Sequence, residues 1–143
     1  MKIYILSFFT GLSTFFTTTH SSNYTSIVQA QEINLEKSIE RGSGIYKEFC
    51  IRCHKESGEG KGKFYPPLAK SDWLLNKRKE SIHAVKYGLK GAITVNGVDF
   101  KRSMSNPGLE NQEIVDVMNY IMNSWGNTQE QIITLEEVLE IEK

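Results

Sequence analysis

Cysteine is almost missing from this chain: there are two, Cys50 and Cys53, in 143 residues. Every thiol chemistry therefore has to be settled at one place, and no other cysteine is present to form a wrong disulfide. Histidine is nearly as scarce, with His83 the only one besides His54 and the N-terminal His20. After the first segment no apolar run is long enough to cross a membrane. There is no internal repeat, no low-complexity tract and no long linker. Charge of one sign is also lacking overall, since 17 Lys and Arg balance 17 Asp and Glu, which excludes the basic excess of a nucleic-acid binder. What remains, 39% hydrophobic and 24% charged residues, is the composition of one ordinary globular domain.

The N-terminus has the layout of a secretory leader. Lys2 precedes the apolar run Ile3 to Phe16, and a polar stretch leads to Val28-Gln29-Ala30, where short side chains suit a signal peptidase. The run is broken by Ser7, Thr10, Gly11, Ser13 and Thr14, short of the ~20 apolar residues of a span. Residues 1–30 are thus expected to be a cleaved signal peptide, leaving a periplasmic protein with no stable membrane span, or a tethered one if cleavage fails. An Asn23-Tyr24-Thr25 acceptor would leave with the leader.

The charges are balanced in total but not along the chain. Residues 47–102 hold thirteen Lys or Arg against six Asp or Glu, a net of plus seven, and residues 110–143 hold one Lys against eight acids, a net of minus seven. The two ends of the mature protein differ in sign.

Both cysteines belong to Cys50-Ile51-Arg52-Cys53-His54. A thioredoxin-like couple would sit at a helix start in a strand-rich α/β pattern, which is missing here. A zinc site would need two further ligands, and His83 has no second Cys or His beside it. Cys-x-x-Cys-His is the signature of c-type haem attachment, and it alone explains the adjacent histidine. Two thiols at this spacing reach two vinyl groups on one side of a porphyrin and form thioethers. The following imidazole then meets the iron as proximal ligand. Export agrees, because c-type haem is attached outside the cytoplasm.

Upstream of the motif, Leu35, Ile39, Gly42, Tyr46 and Phe49 recur at helical steps, with Asn34 as the expected N-cap. Gly42 costs about 1 kcal/mol relative to alanine there and so predicts a close helix crossing. Downstream, a flexible loop Gly58-Glu59-Gly60-Lys61-Gly62 runs into Tyr65-Pro66-Pro67-Leu68, where proline fixes the chain. A proline carbonyl here suits the second ring proton of His54. Short helices are expected at Ser71–Leu75 and Arg78–Tyr87, a hairpin around Asn96-Gly97, a helix from Asn111 to Trp125 ended by Gly126, and a short acidic helix behind the capping box Thr134-x-x-Glu137. The fold class expected is all-α.

A six-coordinate haem needs a second axial ligand, and a thioether there raises the potential in the way an electron carrier requires. Met118 and Met122 fall inside a strong helix, where methionines fill cores. Met104 lies in a loop about fifty residues after His54 and is the favoured distal ligand. His83 sits within a helix and fits a packed or surface role.

From about Leu35 to Asn127 the sequence closely resembles class I cytochrome c domains, particularly the bacterial periplasmic kind. The likeness is carried by Gly42 and Tyr46 before the Cys50–His54 motif, then Tyr65-Pro66-Pro67-Leu68-Ala69, Ser71-Asp72-Trp73-Leu74, Ile93-Thr94-Val95-Asn96-Gly97, Met104 and Asn123-Ser124-Trp125-Gly126-Asn127. The resemblance implies a cytochrome c fold around one covalent haem c, in domain 31–127, followed by an acidic helical extension 128–143. It implies that the first and last helices cross, bringing Gly42 and Tyr46 against Val117 and Tyr120. It also implies axial ligation by His54 and Met104, support of His54 by the Pro66 carbonyl, and a haem environment that includes Tyr65 and Trp73. One departure is that Ser105, not proline, follows Met104.

The function expected is single-electron transfer, with no catalysed reaction of the chain's own. Its partners would be a redox donor and acceptor, such as an oxidase, reductase or dehydrogenase. Lys55, Lys61, Lys63, Lys70, Lys77 and Lys79 would steer an acidic partner. The alternatives are a subunit of a larger oxidoreductase complex, or a haem enzyme or sensor with an open iron site.

Overall fold

The computed structural model describes residues 21–129 and 131–143, with side chains from Asn34 onward. The apolar part of the expected leader lies outside the described residues. Eight elements follow one another: α1 (Ser21–Phe49), α2 (Ile51–His54), α3 (Asp72–Asn76), α4 (Arg78–Tyr87), β1 (Ile93–Val95), β2 (Val98–Phe100), α5 (Asn111–Met122) and α6 (Leu135–Leu139). The chain is mostly helical, with one two-stranded antiparallel sheet, as in the cytochrome c fold.

α1 begins well before the expected cap at Asn34 and passes through Val28–Ala30 without a break. A side-chain cap improves a helix start but does not decide where one falls, because the backbone can propagate from an earlier nucleus. The buried face is Ser38, Gly42, Tyr46 and Cys50, one step round from part of the expected stripe. Phe49 leaves that face and is 43% exposed.

α1 packs across α5, the longest helix of the C-terminal half. α5 opens on a capping box in which Glu110 and Glu113 answer each other's backbone N–H groups. It then buries Ile114, Val115, Val117, Met118, Ile121 and Met122. At roughly 1.5–3 kcal/mol for each large apolar side chain, this face is the main stabilising surface of the domain. The implied crossing of Gly42 and Tyr46 against Tyr120 is present: Tyr46 and Tyr120 have ring centroids 5.4 Å apart, and a β-carbon on Gly42 would lie 2.8 Å from that of Tyr120.

Two polar residues enter the same interface and both are answered. Asp116 is buried, accepts from Arg41 Nε at 2.6 Å and from Ser38 Oγ at 2.7 Å, and so does not sit as an unpaired charge. Asn119 donates to Ser38 at 3.0 Å and to the Ile133 carbonyl at 3.1 Å, and accepts the Ile133 N–H at 2.8 Å. Among the described residues no buried side-chain nitrogen or oxygen lacks a partner.

α5 ends at Met122, three residues before the expected Trp125, which has φ +55 and turns the chain away. The remaining short elements follow their local signals. Ser71 caps α3 by accepting the Leu74 N–H, Gly88 with φ +84 closes α4, and Asn96 and Gly97, both at positive φ, make the β1–β2 turn. The stretch after Asn127 is tied in rather than trailing, for it buries Ile133, Val138 and Ile141. Arg78 fixes it through both carboxylate oxygens of Glu137, at 2.6 and 2.8 Å, and through the Gln131 and Ile132 carbonyls. Lys86 adds bonds to the Val138 and Ile141 carbonyls.

Candidate functional site: an apolar cleft behind the Cys-x-x-Cys-His turn

Between α2, α4, the hairpin and α5 lies an apolar cleft. Its walls include Leu68, Leu74, Val85, Val95 and Ile121, with Cys50, His54, Pro66, Trp73 and Met104 set among them.

α2 is a single turn, and its brevity is what places the motif. The N–H groups of Cys53 and His54 both reach the Cys50 carbonyl, at 3.1 and 3.0 Å, so the two cysteines stand one turn apart. Cys50 is buried and Cys53 half-buried. Burial, and secondarily the neighbouring Cys53, pushes the Cys50 thiol up to about 11, so a free thiol here stays protonated. Cys53 does not border the cleft.

His54 is 9% exposed, and its Nδ1–H donates to the Pro66 carbonyl at 3.0 Å. Because a carbonyl only accepts, this bond puts the proton on Nδ1 and leaves the Nε2 lone pair free. Burial lowers the imidazole pKa below its ordinary value, and the bond to Pro66 opposes this less strongly. The ring is thereby kept neutral, the form that binds a metal.

The loop carrying Pro66 is drawn tight by backbone bonds. Gly60 N–H reaches the His54 carbonyl at 3.0 Å, and the Leu68 and Ala69 N–H groups reach the Gly58 carbonyl at 2.7 and 2.9 Å. Gly60 has φ +70, and a β-carbon on it would collide with the Tyr65 and Pro66 carbonyls. Asn127, which sequence reasoning missed as a site-building residue, locks the far end of this loop. Its side chain accepts the Lys70 N–H at 2.7 Å and donates to the Leu68 and Ile121 carbonyls, both at 2.8 Å.

Met104 reaches the cleft from the loop before α5. Its N–H and carbonyl pair with the carbonyl and N–H of Leu89, both at 2.9 Å. Gly88 permits this approach, since a β-carbon there would stand 2.7 Å from the Met104 carbonyl. The two-bond bridge thus holds the segment that carries Met104 and Ser105.

Trp73 is half-buried and borders the cleft. Tyr65, expected beside it, does not: its ring lies under the Arg102 guanidinium at 4.9 Å. Tyr65 backbone atoms are held in a bridge to Lys61. Met118 lines the cleft from α5, a wall residue that the core-filling reading of helical methionines anticipated only as packing. Among the described residues no three His, Cys, Asp or Glu side chains gather as a bare-ion site.

Two thiols one turn apart, a neutral imidazole with a free Nε2, a thioether from a separate segment and an apolar cavity fit a porphyrin and its iron. They define a covalent haem protein built from helices. Comparison with known proteins narrows this: the chain belongs to the cytochrome c family, whose model matches residues 39–125.

Cytochrome c-552 of Thermus thermophilus is 34% identical over 93 residues, covering 62% of this chain and 70% of that protein. The cytochrome c subunit of a quinone alcohol dehydrogenase from Gluconacetobacter polyoxogenes is 28% identical over 104 residues, 70% of this chain. The cytochrome c subunit of gluconate 2-dehydrogenase from Pantoea cypripedii is 30% identical over 110 residues, 71% of this chain. The chain spans 22% and 24% of those two subunits, and 62% of a second cytochrome c-552 from Thermus thermophilus. As a cytochrome c it carries covalent haem c with its iron, and electron transfer is the chemistry of the class.

Proposed function

We propose that this chain is a one-electron carrier in which Cys50 and Cys53 hold haem c through thioethers and His54 and Met104 are the two axial iron ligands. The observation that carries the reading is that His54 Nε2, left free by the bond to Pro66, and Met104 share one apolar cleft. The bound group supplies a reversible Fe(III)/Fe(II) couple. The chain orients His54 through Pro66, holds Met104 through Leu89, and keeps water from the site with apolar walls. A thioether ligand and a low-dielectric pocket both favour the reduced state. No substrate bond is made or broken.

Residues 1–30 are read as an export leader, 31–127 as the haem domain and 128–143 as a C-terminal extension, with the periplasm as the place of action. Among the described residues no helix is long and apolar enough to cross a membrane. The donor and acceptor are redox proteins, and the relatives named as subunits of dehydrogenases support the further reading of a stably docked subunit. Co-purification with a dehydrogenase would favour that reading over a free shuttle.

The test is optical. The oxidised holoprotein is expected to be low-spin with a methionine-to-iron charge-transfer band, and Met104→Ala to abolish that band while the haem stays covalently attached. A high-spin native spectrum overturns the assignment and favours an open-site sensor or enzyme, and a band that survives Met104→Ala overturns it in favour of another methionine, such as Met118, which also lines the cleft.

A further inference from the structure

Three aromatic rings meet where α1 crosses α5, and each touches the other two. Tyr46 and Trp125 have ring centroids 5.0 Å apart, Tyr46 and Tyr120 5.4 Å, and Tyr120 and Trp125 5.4 Å, all within the range of direct ring contact. Tyr46 is buried, whereas Tyr120 and Trp125 are half-buried and reach water. Trp125 is held there under strain, for its φ of +55 is left-handed backbone that disfavours an L residue. Its ring is seated so closely on Gly58 that a β-carbon there would stand 2.5 Å from it. The inner end of the cluster leads to the haem cleft. Cys50, which borders the cleft, follows Tyr46 by one helical turn and donates its N–H to the Tyr46 carbonyl at 2.9 Å. Ile121, next to Tyr120, borders the cleft as well.

Resting on the electron-carrier reading above, we infer that Tyr46, Trp125 and Tyr120 form a relay through which strongly oxidising radicals that strike the protein at this crossing are quenched by the electron held at the haem. Indole and phenol are, apart from thiols, the side chains most readily oxidised by one electron, and indole gives up its electron without first losing a proton. A radical oxidant takes one electron from Trp125 and is reduced to its anion. Tyr120 refills Trp125, and its phenolic proton passes to the water that this half-buried side chain meets. The electron that restores Tyr120 comes from Fe(II) by way of Tyr46, leaving Fe(III), and water returns the proton. Tyr46 conducts but does not rest oxidised. Its Oη donates to the Lys55 carbonyl at 2.6 Å, and a carbonyl accepts a hydrogen bond but does not take the proton that an oxidised phenol must lose. In sum one radical and Fe(II) give one anion and Fe(III), with no bond between heavy atoms formed or broken. An oxidation that would otherwise stay in the fold is discharged at the iron.

Pulse radiolysis of the deoxygenated ferrous holoprotein with azidyl radical, an oxidant of indole and phenol, tests this. Indole radical absorption is expected first, then phenoxyl absorption growing in as the indole radical decays, then ferric haem in a phase whose rate does not depend on protein concentration. Trp125→Phe is expected to lose that phase, while Trp73→Phe, which removes the other tryptophan of the chain, keeps it. Tyr120→Phe is expected to lose the phenoxyl signal that follows the indole radical and to pass from indole radical to ferric haem directly. In the ferric protein, which has no such electron to give, that phenoxyl signal should persist in the wild type and be absent in Tyr120→Phe. A concentration-independent phase that survives Trp125→Phe, or a phenoxyl signal that still follows the indole radical in Tyr120→Phe, overturns the relay. Failure of the carrier reading would look different. Hexacyanoferrate(III), too weak to oxidise indole, would then take no electron from the ferrous wild type, whereas an intact carrier gives one to it at equal rates in wild type and Trp125→Phe.

Discussion

Gly42 lies directly against the carbonyl of Asp116 where α1 crosses α5, so close that a β-carbon would overlap that oxygen. Alanine normally stabilises a helix interior by about 1 kcal/mol relative to glycine. Here the sign is expected to reverse, because the obstacle is backbone and cannot rotate away. Gly42→Ala should cost about 1–3 kcal/mol through forced separation of the helices. Thermal unfolding of the holoprotein followed by far-UV circular dichroism should show a lower Tm, and a raised Tm would refute the close crossing.

Asn127 is the joint between α5 and the loop that presents the Pro66 carbonyl to His54. Asn127→Ala would leave the Lys70 N–H and the Leu68 carbonyl without their partner, at a cost of about 1–3 kcal/mol. The loss should also reach the iron, since a looser loop weakens the bond that orients the imidazole. The expected outcome is a lower denaturation midpoint together with a shifted reduction potential in protein-film voltammetry. Lower stability at an unchanged potential would make Asn127 structural only.

These two residues mark what was legible in the sequence. Gly42 announced a crossing because glycine in a helical stripe has a local cost that something must offset. Ser71, Gly88 and Asn96-Gly97 were equally readable, since caps and tight turns are decided by neighbouring residues. The Cys50–His54 motif located the site because its chemistry needs that spacing. Asn127, the Arg78–Glu137 pair and the stacking of Arg102 over Tyr65 were not readable, because each depends on what folds against it from 30 to 60 residues away. The start of α1 was missed for another reason: Asn34 is a good cap residue, but the helix was already under way when it reached it.

Arg78 grips five acceptors of the C-terminal stretch: both Glu137 oxygens, Gln129 and the Gln131 and Ile132 carbonyls. Arg78→Met keeps the aliphatic stem and removes every one of these bonds. The pair is about one quarter exposed, so its own contribution is modest, and most of the loss should come from the carbonyls. We expect about 1–3 kcal/mol, with faster amide hydrogen exchange over residues 131–141 and little change within α1. Uniform acceleration throughout the protein would mean that the stretch does not open on its own.

Acid should open the site through His54. Burial holds its imidazole below its ordinary pKa, and the bond to Pro66 keeps its one proton on Nδ1. A second proton at Nε2 would put an unpaired charge into an apolar cleft, so the folded chain resists it until the pH lies below the ordinary imidazole value of about 6.5. If His54 is the iron ligand as proposed, a proton would also have to displace the iron. Covalent haem would keep that iron beside His54 in the unfolded chain too, so the resistance is expected in the native spectrum rather than in an unfolding midpoint. A His83→Gln background removes the other imidazole among the described side chains. The low-spin spectrum of that variant as the oxidised holoprotein is expected to stay unchanged from pH 7 to pH 5.5 and to give way to a high-spin one at lower pH. A high-spin form already dominant at pH 5.5 would mean that the pocket does not hold His54 neutral.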